Sequence, residues 1–291
     1  MAVLAGTVDG CAELAGVRVR VPRNSALLCA DFRAALAQGD RLVVAFSFYS
    51  PSFPGAVEQL NALRAIAPTG WTAIAGGVHA TAETEQTLAA GFDLVCVGEG
   101  ERAIIALLRR VEQGAPLEGT PGFAWKGGRG PKPPPVQLDD FPAFAVKSGL
   151  FSAIEITRGC VYACRFCQTP FMSKARFRHR SVGNVRHWVR ALVRSGRRDV
   201  RFISPTSMSY GSVDEAVNLP AVEELLAACR EELGLTRRLF FGTFPSEVRP
   251  EHVTAEALRV LKKYVDNDNL IIGGQSGSDA VLEKSRRGHD V

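Results

Sequence analysis

No stretch of about 18 consecutive apolar residues occurs anywhere in the chain, which excludes a membrane-spanning helix of ordinary length. Lys and Arg are absent before Arg18, so the N-terminus lacks the charged start of a secretory signal. A seven-cysteine complement is odd, and three of the seven crowd into residues 160–167, which argues against a secreted disulfide framework. The expected compartment is therefore the cytoplasm, with thiols reduced and no membrane partner. Acidic residues are missing from a long part of the second half: between Arg165 and Arg201 the only one is Asp199, against 11 basic residues. That run reads as a solvated face or a docking face for the other half of the chain, with an anionic partner such as RNA as the second reading.

What is present is ordinary for a folded protein: 291 residues, 46% hydrophobic and 22% charged, with a net charge of +5. Residues 1–115 alternate strand-like and helix-like patterns. Strands are expected at Val17–Val21, Arg41–Phe48, Trp71–Gly77 and Asp93–Val97, and helices near Ser25–Gln38, Pro54–Ile66, Ala82–Ala90 and Glu101–Gln113. Short links between them imply a doubly wound, Rossmann-like parallel sheet in an α/β fold. Residues 116–150 are rich in Gly and Pro and read as a linker with one small hairpin, Gly122–Trp125 against Val136–Leu138.

From residue 151 to 291 the alternation resumes. Strands are expected at Ala153–Thr157, Val200–Ser204, Leu239–Thr243 and Leu270–Gly273, with helices at Val182–Ser195, Leu219–Leu233, Thr254–Tyr264 and Asp279–Lys284. These are four βα units, where a closed eight-unit barrel takes about 250 residues. The expectation is a partial (βα) barrel with about four of six strands, truncated at its C-terminal side.

The first of these strands runs into RGCVYACRFCQTP, which places Cys160, Cys164 and Cys167 in a C-x3-C-x2-C pattern. Three thiolates on one loop can hold a four-iron cluster and leave one iron without a protein ligand, open to a chelating substrate. The alternative is structural zinc with His179 as fourth ligand, although the paired CxxC knuckles usual for zinc are missing. Cys11, Cys29, Cys96 and Cys229 are scattered and read as small buried hydrophobes.

The triad, with the aromatic Phe166 before its last cysteine, resembles the signature of the radical S-adenosylmethionine (SAM) superfamily. The resemblance implies a [4Fe-4S] cluster on Cys160, Cys164 and Cys167, SAM bound at the open iron and cleaved to a 5′-deoxyadenosyl radical, and an electron donor such as flavodoxin or ferredoxin. Strand ends of such a core would supply SAM contacts from Phe166, Ser204, Thr206, Ser246, Glu247 and Gln275. SPTSMSYG (Ser204–Gly211) stands where many members carry Gly-Gly-Glu. GGQSGSDAVLEKSRRGH (Gly273–His289) is similar to a stretch of methylthiotransferases.

In the first half, GGVHATAETEQTLAAGFDLVCVGEGE (Gly76–Glu101) resembles the cobalamin-binding domain that precedes many radical SAM cores. It implies a cobalamin site at Ser47, Ser50, Gly76, Gly77, His79, Gly98 and Glu99. The Asp-x-His-x-x-Gly loop of domains that displace the cobalamin base is absent. The implied function is reductive SAM cleavage serving cobalamin-dependent methyl transfer. The alternatives are a methylthiotransferase-like enzyme without functional cobalamin, and a non-catalytic metal-binding fragment.

Overall fold

The computed structural model describes residues 1–291, and apart from Ala2 they divide into two units at Val136/Gln137. Each is an α/β assembly.

In the first unit, β1 (Leu42–Ser47), β2 (Trp71–Gly76) and β3 (Leu94–Cys96) run parallel in that order. β4 (Phe123–Trp125) and β5 (Gly128–Arg129) extend the sheet antiparallel to five strands. Period-two alternation sorts their side chains onto two faces. Phe46, Trp71, Ala73, Ala75 and Val95 pack with Phe32, Leu60 and Leu63, under α2 (Ser25–Ala37), α3 (Phe53–Ile66) and the short helices α4 (Val78–Ala82) and α5 (Thr84–Ala89). Ile74 and Leu94 point the other way, toward α1 (Ala2–Gly10) and the Ala103, Ile104 and Leu107 stripe of α6 (Glu101–Gln113). With both faces covered, the parallel strands are apolar almost throughout.

Two expectations fail here for physical reasons. Val17–Val21 alternates but pairs with no strand: Val17 and Val19 pack on the α6-side core, while Arg18 and Arg20 turn outward to Asp40 and Asp31. The hairpin closes through Gly128–Arg129 rather than Val136–Leu138, and its first strand adds to β3. Residues 116–136 therefore complete the first sheet, and the break in the chain falls at 136/137 rather than across the whole of 116–150.

The second unit carries short parallel ladders. β6 (Ile154–Glu155) pairs with β10 (Phe202–Ile203), and β9 (Asp199–Val200) with β11 (Arg238–Leu239). The Ile271 amide donates to the Gly242 carbonyl, and Ile272 bridges Val248, so the fourth segment follows on without a regular ladder. Helices α8 (Val182–Arg194), α9 (Leu219–Leu233) and α10 (Ala255–Tyr264) cover this core, and α11 (Asp279–Lys284) follows the fourth segment. Ser181, Asn218 and Thr254 cap the first three by accepting from an amide in the first turn. No helix is long and apolar enough to cross a membrane.

The basic run between Arg165 and Arg201 is partly internal. Arg178 and Arg180 are buried, and Arg180 donates to the Phe141 and Glu155 carbonyls and to Asn184. Arg186 and Arg190 both grip Glu232 of α9, at 2.6 Å each. Hydrogen bonding from Arg190, with Arg186 behind it, pulls the Glu232 carboxyl down to about 2. A depressed carboxylate stabilises the fold above its ordinary range and loses that contribution as pH falls toward 2. Glu232→Gln is expected to cost about 0.5–1 kcal/mol near pH 7, since the pair borders solvent, and little near pH 2; urea melts at the two pH values check this.

Candidate functional site

The cysteine loop is built at the end of the first strand of the second unit. β7 (Thr157–Arg158) pairs antiparallel with β8 (Arg178–His179), and this ribbon closes the base of residues 159–177, which also hold the short helix α7 (Thr169–Ser173). At the root, Gly159 has φ +81°, and a Cβ there would sit 2.0 Å from the Arg176 carbonyl oxygen. Only glycine lets the two arms approach this closely. Further along, the Cys167 amide donates to the Cys164 carbonyl at 3.0 Å, folding the second and third cysteines onto one turn.

Cys164 is buried, while Cys160 and Cys167 are half-buried. Burial pushes the Cys160 thiol up, the nearby Cys164 and Cys167 sulfurs add to that, and Arg249 opposes it. The Cys160 sulfur thus lies within electrostatic reach of the other two, although no group of three His, Cys, Asp or Glu side chains forms a single-ion cage. His179 does not complete a zinc site. Its Nδ1 lies 3.0 Å from Thr157 Oγ1 and its Nε2 2.8 Å from the Ser212 carbonyl, so both ring nitrogens are engaged.

Around the loop sits a buried cationic framework. The Arg249 guanidinium lies 3.6 Å over the Tyr162 ring, and Tyr162 OH meets His252 Nε2 at 2.9 Å. Burial raises the Tyr162 hydroxyl to about 12 and lowers His252. Arg287 approaches Cys164 Sγ at 3.6 Å. Thr206 Oγ1, Ser207 Oγ and Arg249 Nη1 are buried without partners. An unsatisfied buried guanidinium nitrogen near Cys160, with three soft thiols on one loop, fits a polar cofactor group held next to a metal cluster.

Of the expected SAM contacts, Thr206 retains a free hydroxyl in this region, and Glu247 faces Arg287 at 3.5 Å. Phe166 is 54% exposed on the cysteine loop. Gln275 is exposed in the left-handed region at φ +70°. Ser204 and Ser246 serve the backbone instead: Ser246 Oγ accepts from the Ser204 amide and donates to the Phe202 carbonyl, while Ser204 Oγ donates to the Thr206 carbonyl. Their hydroxyls tie two strand ends together, the turn-capping use open to any serine.

In the first unit the strand ends of β1 and β2 bring Ser47, Ser50, Gly76, Gly77 and His79 together. Gly77 has φ +93°, and a Cβ there would meet Ser47 Oγ at 3.0 Å and the Phe48 carbonyl at 3.2 Å. His79 is buried, stacked on Phe53 at 4.4 Å between ring centroids, with Nδ1 3.0 Å from Ser50 Oγ and Nε2 unpartnered. Gly98 joins through its amide, which donates to Thr81 Oγ1 at 3.1 Å. Glu99 is held elsewhere: its carboxylate accepts from the Val136 amide at 2.7 Å. Open space where a Gly98 side chain would stand, and the unsatisfied His79 ring nitrogen, fit a bulky ligand tail laid against backbone, at the end of a parallel sheet where open α/β folds bind ligands.

The residues missed in the sequence are Tyr162, Arg249, His252 and Arg287. No spacing signals them, because their relation is purely tertiary.

Sequence comparison identifies both halves. The radical SAM superfamily profile matches residues 154–291, and the B12 binding domain profile matches residues 5–108. The chain carries a radical SAM domain preceded by a B12-binding domain. Its radical SAM domain implies a [4Fe-4S] cluster and SAM, and the B12-binding domain ahead of it implies cobalamin. Among curated relatives, a tRNA-2-methylthio-N(6)-dimethylallyladenosine synthase of Desulfosudis oleivorans is 33% identical over 140 residues, 48% of this chain and 28% of the relative. The enzyme of that name from Chlorobium limicola is 29% identical over 157 residues, 54% of this chain and 34% of the relative. The chain thus spans about a third of the length of these relatives. Among solved structures, the radical SAM methyltransferase TsrM from Kitasatospora setae, with tryptophan and a SAM analogue bound, has a TM-score of 0.74 at 16% identity. The match covers 100% of this chain and 60% of that one. The cobalamin-dependent radical SAM enzyme OxsB, with aqua-cobalamin bound, has a TM-score of 0.67 at 16% identity, covering 92% and 40%. At such identities these two neighbours speak for the fold.

Proposed function

We propose that the protein is a cobalamin-dependent radical SAM enzyme that transfers a methyl group to an unreactive carbon of its substrate. The observation that carries the reading is the cysteine loop on a radical SAM domain that follows a B12-binding domain in one chain. When bound, the [4Fe-4S] cluster supplies the electron for reductive cleavage of SAM. Cys160, Cys164 and Cys167 would hold it, the ribbon β7–β8 would fix their loop, and Phe166, Thr206, Glu247 and Gln275 would orient SAM. In the first unit Ser47, Ser50, Gly76, Gly77, His79 and Gly98 would receive cobalamin. A low-potential protein such as flavodoxin or ferredoxin would deliver electrons.

A methylthiotransferase-like reaction on RNA has support in the curated relatives, which are tRNA-modifying enzymes by name. One observation disfavours it. Such enzymes resemble this one but carry three more cluster cysteines in the N-terminal domain. Here Cys11 and Cys96 pack on the α6 side of the sheet, and Cys29 packs on the opposite face. A sheet lies between them.

The test is anaerobic reconstitution with iron and sulfide, then reduction with SAM, with and without cobalamin. The expected result is 5′-deoxyadenosine with about four irons per chain, and a visible spectrum of bound cobalamin. Iron near eight per chain with no cobalamin uptake would favour the methylthiotransferase reading, and no 5′-deoxyadenosine would favour a non-catalytic fragment. Gly77→Val is expected to weaken cobalamin binding at least about tenfold, because a branched side chain at positive φ strains the backbone and collides with Ser47 and the Phe48 backbone, displacing the strand end that carries Ser47 and Ser50. Spectrophotometric titration with cobalamin checks this, and unchanged affinity removes the glycine pair from the site.

A further inference from the structure

We infer that Arg287 is a positioning residue that sets the reduction potential of the cluster through a hydrogen bond to Cys164 sulfur; this rests on the cluster assignment above.

Arg287 is 5% exposed, and its Nη1 lies 3.6 Å from Cys164 Sγ. Burying a guanidinium is costly unless a negative group answers it. The nearest carboxylate, Glu247, is 3.5 Å away and one-third exposed, so it compensates weakly. The Gly273 carbonyl accepts a second bond from Nη2, and Nε is buried with no partner. A neutral thiol would leave this cation largely unanswered, whereas a thiolate shared with a cluster answers it directly.

The placement is enforced from several sides. The Arg165 amide donates to the Ser285 carbonyl at 2.9 Å and Arg165 Nη1 to the Lys284 carbonyl at 2.9 Å, which pins the end of α11 to the cysteine loop. The Arg287 amide closes that end on the Leu282 carbonyl at 2.9 Å, and its own carbonyl accepts from Arg249. Arg287 is thus clamped against the middle cysteine of the triad.

A donor to a cluster sulfur withdraws electron density from it and favours the reduced form, which carries one more negative charge. The step is a one-electron reduction of the oxidised cluster by an external reductant, here dithionite, with no proton and no bond change. Removing the donor makes reduction harder. Removing the carboxylate that partly neutralises Arg287 does the reverse.

The experiment is a potentiometric titration of the reconstituted 291-residue protein without SAM, followed by electron paramagnetic resonance of the reduced cluster. Arg287→Gln is expected to shift the oxidised-to-reduced ratio at fixed potential about tenfold toward oxidised, a midpoint lowered by about 59 mV for one electron. Arg287→Lys, which keeps the charge but loses the planar fork, is expected to fall between. Glu247→Gln is expected to move the midpoint upward. A loaded cluster whose midpoint is unmoved in Arg287→Gln, or lowered in Glu247→Gln, overturns the inference and leaves the cluster assignment standing. Should Arg287→Gln take up no iron, the Lys and Glu247→Gln variants decide by the same signs. Wild-type protein that binds no iron would sink the cluster assignment, and the inference with it.

Discussion

Alanine at Cys160, Cys164 or Cys167 is expected to cut iron retained after reconstitution and desalting by about tenfold, with loss of the cluster's visible absorption. Cys229→Ala is the contrast: it should keep about four irons per chain. The physical difference is location. The triad sits on one ribbon-closed loop, where the Cys160 thiol feels the other two sulfurs and Arg249. Cys229 is fully buried on α9 among Val185, Val222 and Leu225, and burial pushes its thiol up to about 12. Such a sulfur packs as a methyl-sized apolar group, so its removal should cost about 1 kcal/mol of stability and nothing at the cluster. A cluster that survives each single loss within the triad would refute the ligand assignment.

The contrast also shows what a linear reading can and cannot reach. The apolar runs of Leu42–Ser47 and Trp71–Gly76 are local properties, so both parallel strands and the helix between them are expected where they lie. Helix α6 is matched residue for residue because its apolar stripe and the left-handed Gly114 after Gln113 are both written locally. Val17–Val21 alternates strictly and forms no strand, since alternation requires only two different faces, and packing against α6 with outward ion pairs supplies them. The triad is legible by spacing alone. Its surroundings are not: Tyr162, Arg249 and Arg287 meet only after three strand ends converge. The basic run misleads for the same reason, because Arg180 looks like any surface arginine until Phe141 and Glu155 close over it. His179 is the converse case, a plausible metal ligand in sequence whose two nitrogens are already engaged in the fold.

Gly159→Ala carries the second large effect, and it touches no ligand. The added methyl would stand 2.0 Å from the Arg176 carbonyl oxygen and 3.0 Å from that of Lys174, both backbone atoms that no rotamer change can move. At φ +81° an L side chain adds strain of about 1–2 kcal/mol before any clash. The loop can respond only by opening the β7–β8 ribbon, which carries the Thr157–His179 contact and the approach of Cys160 to Lys174. The expected outcome is a loss of about 3 kcal/mol or more in chemical denaturation, together with cluster retention as poor as in the cysteine variants. Two controls separate loop geometry from a general dislike of substitution. Gly183 is exposed in the first turn of α8, and nothing lies within 4 Å of where a methyl would stand, so Gly183→Ala should be neutral or stabilising by up to about 1 kcal/mol. Ala163 lies between the first two cysteines at φ +48°, and Ala163→Gly relieves that conformation and should load iron normally. If Gly159→Ala holds its cluster as well as these two, the close approach at the root of the loop is not what gathers the three sulfurs.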